Sequence, residues 1–453
     1  MNKTNILKRQ YGFFVTLCIV VGFVVGTGIF WRPGRVLFET GANVVMGVWA
    51  WIVGGLIIAG CVYMFAVMAS HYEKMHGMVD YAQEIIGIRY AYLSGWFFCV
   101  MYQTAGYAII AFISASFTAT LAGHTNVTNT PFVFFITSFY MVAIFALNYL
   151  SPKTPIRLNV LTTILRLIPL VVMGSVGVVL GFLGYGYTQP DPIAMPPNIG
   201  NSSFFGAVFA TAFAYNGWQA AVAFNSEVND GKKKFPFALL LGFFIVIVIY
   251  VLYFIGITYH ADHGVIMENN QLGTHQAFYN IFGYGVRDIV MVFVIISGLG
   301  ILNMCCMGMS RSMYAIARRG LGPIPKRMVQ LDPNTNVPTC SMITCVFISF
   351  LWLAVIFGNQ NNWFVVMGYQ FVFDLPDFYN MIFFALIIPI FIGFIKKHHK
   401  NKTIHVFNRY IAPIIGAFGA GFMIFALVVS GPLYAGVYFA AFVVLATIGF
   451  LLK

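Results

Sequence analysis

Long apolar runs alternate with short polar segments along the whole chain. About 20 consecutive apolar residues wound as a helix cover the ~30 Å hydrocarbon layer of a bilayer. Twelve such runs can be read, near 11–31, 43–68, 90–121, 131–150, 158–184, 204–226, 237–260, 287–317, 339–358, 363–395, 408–430 and 432–452. The pattern predicts an all-α polytopic membrane protein with twelve transmembrane helices.

Two of these runs carry a polar interruption at mid-depth. In the first, Gly22, Gly26 and Gly28 surround Thr27, and glycines beside a small polar residue lower the cost of leaving helical geometry. Unwound peptide groups cannot face lipid, where each unpaired N–H or C=O costs several kcal/mol, so this break must line a cavity. A half-helix starting near Gly28 aims free N–H groups and a positive dipole end at that cavity, and the half ending near Val25 leaves carbonyls there. Such a place suits a zwitterion. The sixth run repeats the device in Phe213-Ala-Tyr-Asn-Gly-Trp218, with Asn216 beside Gly217. Paired breaks five spans apart point to two repeats of opposite topology whose broken helices meet at the midplane. The ordinary alternative is close helix packing on small residues.

Composition narrows the class. The chain is 60% hydrophobic and 8% charged, with a mean hydropathy of +0.84, which excludes a soluble globule. No cleavable signal peptide is visible, because the first run continues straight into Arg32-Pro33. The net charge of +12 is a topology signal and not a nucleic-acid footprint. With the N-terminus inside, 21 Lys and Arg residues fall on the cytoplasmic side, against Arg32, Arg35 and Arg287 outside and Arg166 within the fifth run. That bias places both termini in the cytoplasm and the chain in the cell membrane. The seven cysteines all lie in apolar runs without metal-ligand spacing, so neither disulfides nor a metal site are expected. The outer loop 122–130 has no cysteine to tether a partner subunit. No phosphate-binding loop, metal-ligand cluster or nucleophile motif is present, so an enzyme is not expected and no cofactor is implied.

A few ionisable residues stand out against this background. Arg166 either snorkels or forms a buried pair. Glu227 and Arg311, at the cytoplasmic ends of the sixth and eighth runs, form an inner gate or are simply solvated. Asp374 and Asp377 in Phe-Asp-Leu-Pro-Asp-Phe lie far inside an apolar run, where a carboxylate costs about 2.5–3.5 kcal/mol on insertion scales. Either they recognise a basic side chain or carry a proton, or Asn361-Asn-Trp-Phe makes a short turn and the tenth span starts at Pro376. In Ser297-Gly-Leu-Gly-Ile-Leu-Asn303, Gly300 permits close approach and Asn303 can hydrogen-bond across helices.

Further motifs carry a resemblance: Gly26-Thr-Gly-Ile-Phe30 with Pro33-Gly-Arg35 and Gly41, Phe213-Ala-Tyr-Asn-Gly-Trp218, Glu227-Val-Asn-Asp230 with Pro236 and Ala238, Asn148-Tyr149 with Lys153, and Ser310-Arg-Ser-Met-Tyr-Ala-Ile-Ala-Arg-Arg-Gly-Leu-Gly-Pro323. Together they resemble the amino acid–polyamine–organocation superfamily, nearest its L-type amino acid transporter branch. The resemblance implies a LeuT-like 5+5 inverted repeat with helices 1 and 6 broken. The transport core would span residues 1–395, with repeats at 11–184 and 204–395, and residues 396–453 would add a cytoplasmic loop and two helices. It implies that a substrate carboxylate meets N–H groups around Thr27, Gly28 and Ile29, that its ammonium meets carbonyls near Val24, Phe213 and Ala214, and that Gly26 and Gly217 belong to the same binding site. Phe213 would close over the substrate, and Asn216 would help shape the side-chain pocket. Lys153 would take the place that sodium holds in sodium-coupled cousins. The expected function is sodium-independent exchange of neutral L-amino acids by alternating access. The alternatives are proton-coupled transport, basic amino acids or polyamines as substrates, and an amino acid sensor without turnover.

Overall fold

The computed structural model describes residues 11–72, 77–124, 131–150, 154–190, 203–332, 337–361, 363, 365, 366, 369, 370 and 374–451. The first third of the chain contains α1 (Phe13–Val24), α2 (Gly28–Trp31), α3 (Pro33–Glu39), α4 (Val44–His71), α5 (Met78–Ile85), α6 (Ile88–Phe97), α7 (Thr104–Leu121) and α8 (Pro131–Leu150). A π-helical turn, Phe98–Gln103, joins α6 to α7. Next come α9 (Thr154–Val172), α10 (Val178–Phe182), α11 (Phe204–Ala214), α12 (Trp218–Ala221), α13 (Gly231–His260), α14 (His263–Glu268) and α15 (Asn270–Arg318), the last being two helical stretches joined across a break at Gly283, where φ is +74°. The chain closes with α16 (Pro325–Met328), α17 (Thr339–Gln360), α18 (Leu375–His398), α19 (Ala412–Ser430) and α20 (Pro432–Leu451).

Ten helical segments among the described residues are long and apolar enough to cross a membrane. Two of the twelve runs fall short of that measure for different reasons. The sixth is cut into α11, α12 and a 3-10 turn, Val222–Glu227, and of the last, the helix Pro432–Leu451, the stretch described in full runs Ala435–Leu451. The tenth run, read from the sequence as 363–395, becomes helical only at Leu375. Ahead of it Val365–Val366 pairs antiparallel with Tyr369–Gln370. The late start has a local cause: the Asp374 carboxylate caps the helix by accepting from the Asp377 N–H at 3.1 Å, and Pro376 occupies the first turn.

Side-chain caps also open α4, where Asn43 accepts from Met46 N at 3.0 Å, and α11, where Ser203 accepts from Gly206 N at 3.1 Å. Burial sorts the helices by depth. The segment Ile88–Leu121 is 94% buried in its most apolar stretch, whereas Pro131–Leu150 is 22% buried. The third crossing is therefore central and able to line an internal cavity, while the fourth faces the surroundings.

Candidate functional site

The first helix stops where the glycine pattern says it should. Val25 turns extended, with φ −75° and ψ 100°, although its N–H still donates to Val21 O at 2.7 Å. Helical geometry resumes at Gly28. In the sixth run α11 ends at Ala214, Gly217 takes φ +110°, and α12 begins at Trp218.

The two breaks touch. A Cβ on Gly28 would stand 2.9 Å from Ala214 Cα, and one on Gly217 would stand 2.0 Å from Phe23 O. Only residues without a side chain let the two backbones approach this closely. Between them lies a cavity lined by Val24, Gly26, Thr27, Gly28, Phe213, Ala214, Asn216 and Gly217, all predicted from the sequence. Ile29 is fully buried but does not line it, so the cavity reaches only as far as Gly28 along the first helix. Sequence reasoning missed Tyr102, Gln103, Gly106 and Ile110 from the third crossing, Ile301, Met304 and Cys305 from the eighth, and Tyr379 from the tenth. No lining side chain carries a charge. Thr27 Oγ1, Gln103 Oε1 and Asn216 Oδ1 are buried without a hydrogen-bond partner, which marks them as groups able to serve a guest.

The carbonyls at the end of α1 have a fixed cation. Arg166, fully buried on α9, donates through Nη1 to Gly22 O and, at 2.9 Å, to Val25 O. Its Nε donates to Thr162 O at 3.0 Å and its Nη2 to Thr162 Oγ1 at 2.9 Å, which holds the guanidinium plane. Gly300 leaves room for this group, since a Cβ there would stand 2.5 Å from Arg166 Nη2. The Tyr250 hydroxyl donates to Val24 O at 3.0 Å. Three orphan carbonyls of the broken helix are thus satisfied by side chains. The resemblance assigned this duty to Lys153, which lies outside the described residues. Among the described residues Gly22 O and Val25 O accept from Arg166, and the sequence signal for that was an arginine alone in an apolar run.

Above the cavity sits Arg32, directly after α2 and 2% exposed. Its Nη2 donates to Asp377 Oδ1 at 3.1 Å and lies 3.6 Å from Asp374 Oδ1. Its guanidinium carbon stands 5.0 Å from the centroid of the Phe213 ring, a cation–π distance. Burial by itself disfavours the Arg32 charge, but Asp377 and Asp374 outweigh it and hold its pKa above the ordinary guanidinium value. Asp374 and Asp377 thus meet an arginine beyond the cavity and do not line the cavity. The two are unequal, with side chains 37% and 14% exposed. Asp377→Asn should therefore slow transport at least about tenfold, as expected when a buried pair loses one partner, and Asp374→Asn less than about threefold. Initial uptake rates of the two variants check this, and equal effects would refute it.

On the opposite side Arg311 lies 5.0 Å over the Phe224 ring, and Phe224 packs on Phe23 at 5.6 Å. The Glu227 side chain lies outside the described residues, so the expected Glu227–Arg311 pair has no counterpart to describe. Asn303 accepts from Asn148 Nδ2 at 2.8 Å and joins the fourth and eighth crossings. No group of three or more His, Cys, Asp or Glu able to hold a metal occurs among the described residues.

A many-helix apolar chain with a small uncharged cavity between two interrupted helices defines a multi-pass membrane carrier of small molecules. A family model described as amino acid permease matches residues 11–451, and the chain belongs to that family. It is an amino acid transporter and not an enzyme. It is 24% identical to the serine/threonine exchanger SteT of Bacillus subtilis, over 96% of this chain and 94% of that protein. Identity to the mouse b(0,+)-type amino acid transporter 1 is also 24%, over 97% and 87%. Against the glutamate/serine transporter AimA of Bacillus subtilis it is 26%, over 78% and 67%.

Proposed function

We propose that this chain is a sodium-independent exchanger of neutral L-amino acids that works by alternating access. The observation that carries the reading is the uncharged cavity at the crossing of the two breaks, with Arg166 already filling the cation position at the end of α1. A carrier whose orphan carbonyls are satisfied by a guanidinium, which stays protonated, has no need of a coupling metal there. Exchange follows naturally from such a permanent charge.

In this reading twelve segments cross the cell membrane with both termini in the cytoplasm. Residues 11–184 and 204–395 act as inverted repeats, and residues 396–453 are an addition to that core. The substrate carboxylate lies against the N–H groups around Thr27 and Gly28 and the unpaired Thr27 hydroxyl. Its ammonium shares the Val24 carbonyl with Tyr250, since each carbonyl has two lone pairs, and takes carbonyls near Phe213 and Ala214. Arg32, Phe213 and Asp377 seal one side, while Arg311 and Phe224 cover the other. Uncharged lining favours neutral substrates over basic amino acids or polyamines, because the nearest carboxylates are engaged by Arg32.

Uptake of labelled amino acids into proteoliposomes tests the proposal. Acceleration by internal unlabelled amino acid, without response to sodium or an imposed pH gradient, is the expected result. Accumulation driven by a pH gradient would indicate proton coupling, competition by lysine or putrescine alone would overturn the substrate class, and binding without flux would indicate a sensor. Thr27→Ser should lower exchange less than about threefold, and Thr27→Pro should abolish it by changing the backbone that supplies the donors. Equal tolerance of both would refute the site.

A further inference from the structure

The cavity has polar atoms of two kinds, and the distinction bears on which neutral amino acid it prefers. Part of its polar lining is already engaged. The Tyr102 hydroxyl accepts from Gln219, a residue behind the lining that itself accepts from Gly217 N at 3.1 Å. Asn216 donates to Asn380 Oδ1. Of the three lining groups left with an unpaired atom, Thr27 and Asn216 belong to the breaks themselves, where the groups common to every α-amino acid are held.

Gln103 is different. It belongs to the third crossing and to neither break, and is 6% exposed. Its Oε1 is buried with no hydrogen-bond partner. Gln103, Gly106 and Ile110 recur at helical spacing and face the cavity together. Gln103 is also the last residue of the π-helical turn Phe98–Gln103. A π turn inserts an extra residue and shifts the side-chain register, and such bulges concentrate at functional sites. Here consecutive residues, Tyr102 and Gln103, both line the cavity.

Size adds a second restriction. The cavity measures about 80 Å³. That is several times the roughly 10–15 Å³ needed for one water, and it favours short side chains such as those of alanine, serine and threonine over those of arginine or tryptophan.

We infer that Gln103 is a specificity-determining residue whose side-chain amide selects short neutral amino acids bearing a hydroxyl group, with its unpaired oxygen accepting from the substrate hydroxyl. The inference rests on the proposed site, with the substrate's backbone groups at the breaks and its side chain toward the third crossing. A hydrogen-bonding group in a small pocket discriminates against the analogue that leaves it unpaired. Methyl and methylene groups of the substrate meet Ile110, Ile301 and Met304.

Exchange kinetics in proteoliposomes, measured side by side for serine against alanine and threonine against valine, provide the test. The wild-type chain should show kcat/KM for each hydroxyl substrate about tenfold above that for its partner, the scale of one hydrogen bond. Gln103→Met, of similar size and without polar atoms, should bring both ratios close to one. If flux through the variant is too low to measure, the rise in melting temperature produced by serine relative to alanine reports the same preference in wild type and variant. A wild-type chain indifferent to the hydroxyl, or a Gln103→Met variant that keeps the preference, overturns the inference while leaving neutral amino acid exchange intact. Failure of the wild-type chain to exchange any neutral amino acid would instead defeat the underlying function.

Discussion

Replacing Arg166 with methionine is expected to reduce exchange at least about 100-fold while leaving a protein that still enters the membrane. The substitution removes the donors to Gly22 O and Val25 O, and each buried acceptor left unpaired costs about 1–3 kcal/mol. Two such losses at one helix end amount to about 2–6 kcal/mol, enough to move the end of α1 away from the geometry that shapes the cavity. Arg166→Lys should fall between, about tenfold slower, because an ammonium restores the charge but not the planar fork that Thr162 orients. Initial exchange rates, with size-exclusion profiles of the purified variants to report folding, check the ordering Arg above Lys above Met. An Arg166→Met protein with normal turnover would show that this cation is dispensable.

Gly217→Ala is expected to have a comparable effect through a different mechanism. At φ +110° a side chain is strained by about 1–3 kcal/mol. The added methyl would also stand 2.0 Å from Phe23 O, a backbone atom that cannot swing aside. The two breaks must then separate, and with them the opposite walls of the cavity. Substrate-induced stabilisation should disappear along with exchange. Gly436→Ala, on α20 with nothing within 4 Å of its added Cβ, serves as the control and should be near neutral. Retained substrate-induced stabilisation in Gly217→Ala would mean that the cavity does not depend on this crossing.

Several features of the site were legible before any coordinates. Glycine beside Thr27 and beside Asn216 pointed to two breaks, because the same pairing of glycine with a small polar residue recurs at mid-depth five spans apart, which close packing alone does not require. Arg166 was equally conspicuous as a lone charge, yet its partners were not, since they are carbonyls 141 and 144 residues away. Asp374 and Asp377 needed a cation, and Arg32 was assigned simply to the outside until the fold brought residues 345 apart into contact. The π turn ending at Gln103 has no signature in the run of apolar residues around it.

Local chemistry therefore determined the class of protein: apolar length dictates crossing, charge bias indicates orientation, and glycine with small polar residues sets where helices stop. Those properties act over a few neighbouring positions and can be read in order along the chain. Tertiary structure alone decided who serves the broken ends, through Arg166 and Tyr250, and which third-crossing residues face the cavity. It also brought Arg32 to Asp377. Such contacts join segments far apart in sequence, and they depend on helix rotation and depth, quantities that only packing of the whole bundle specifies.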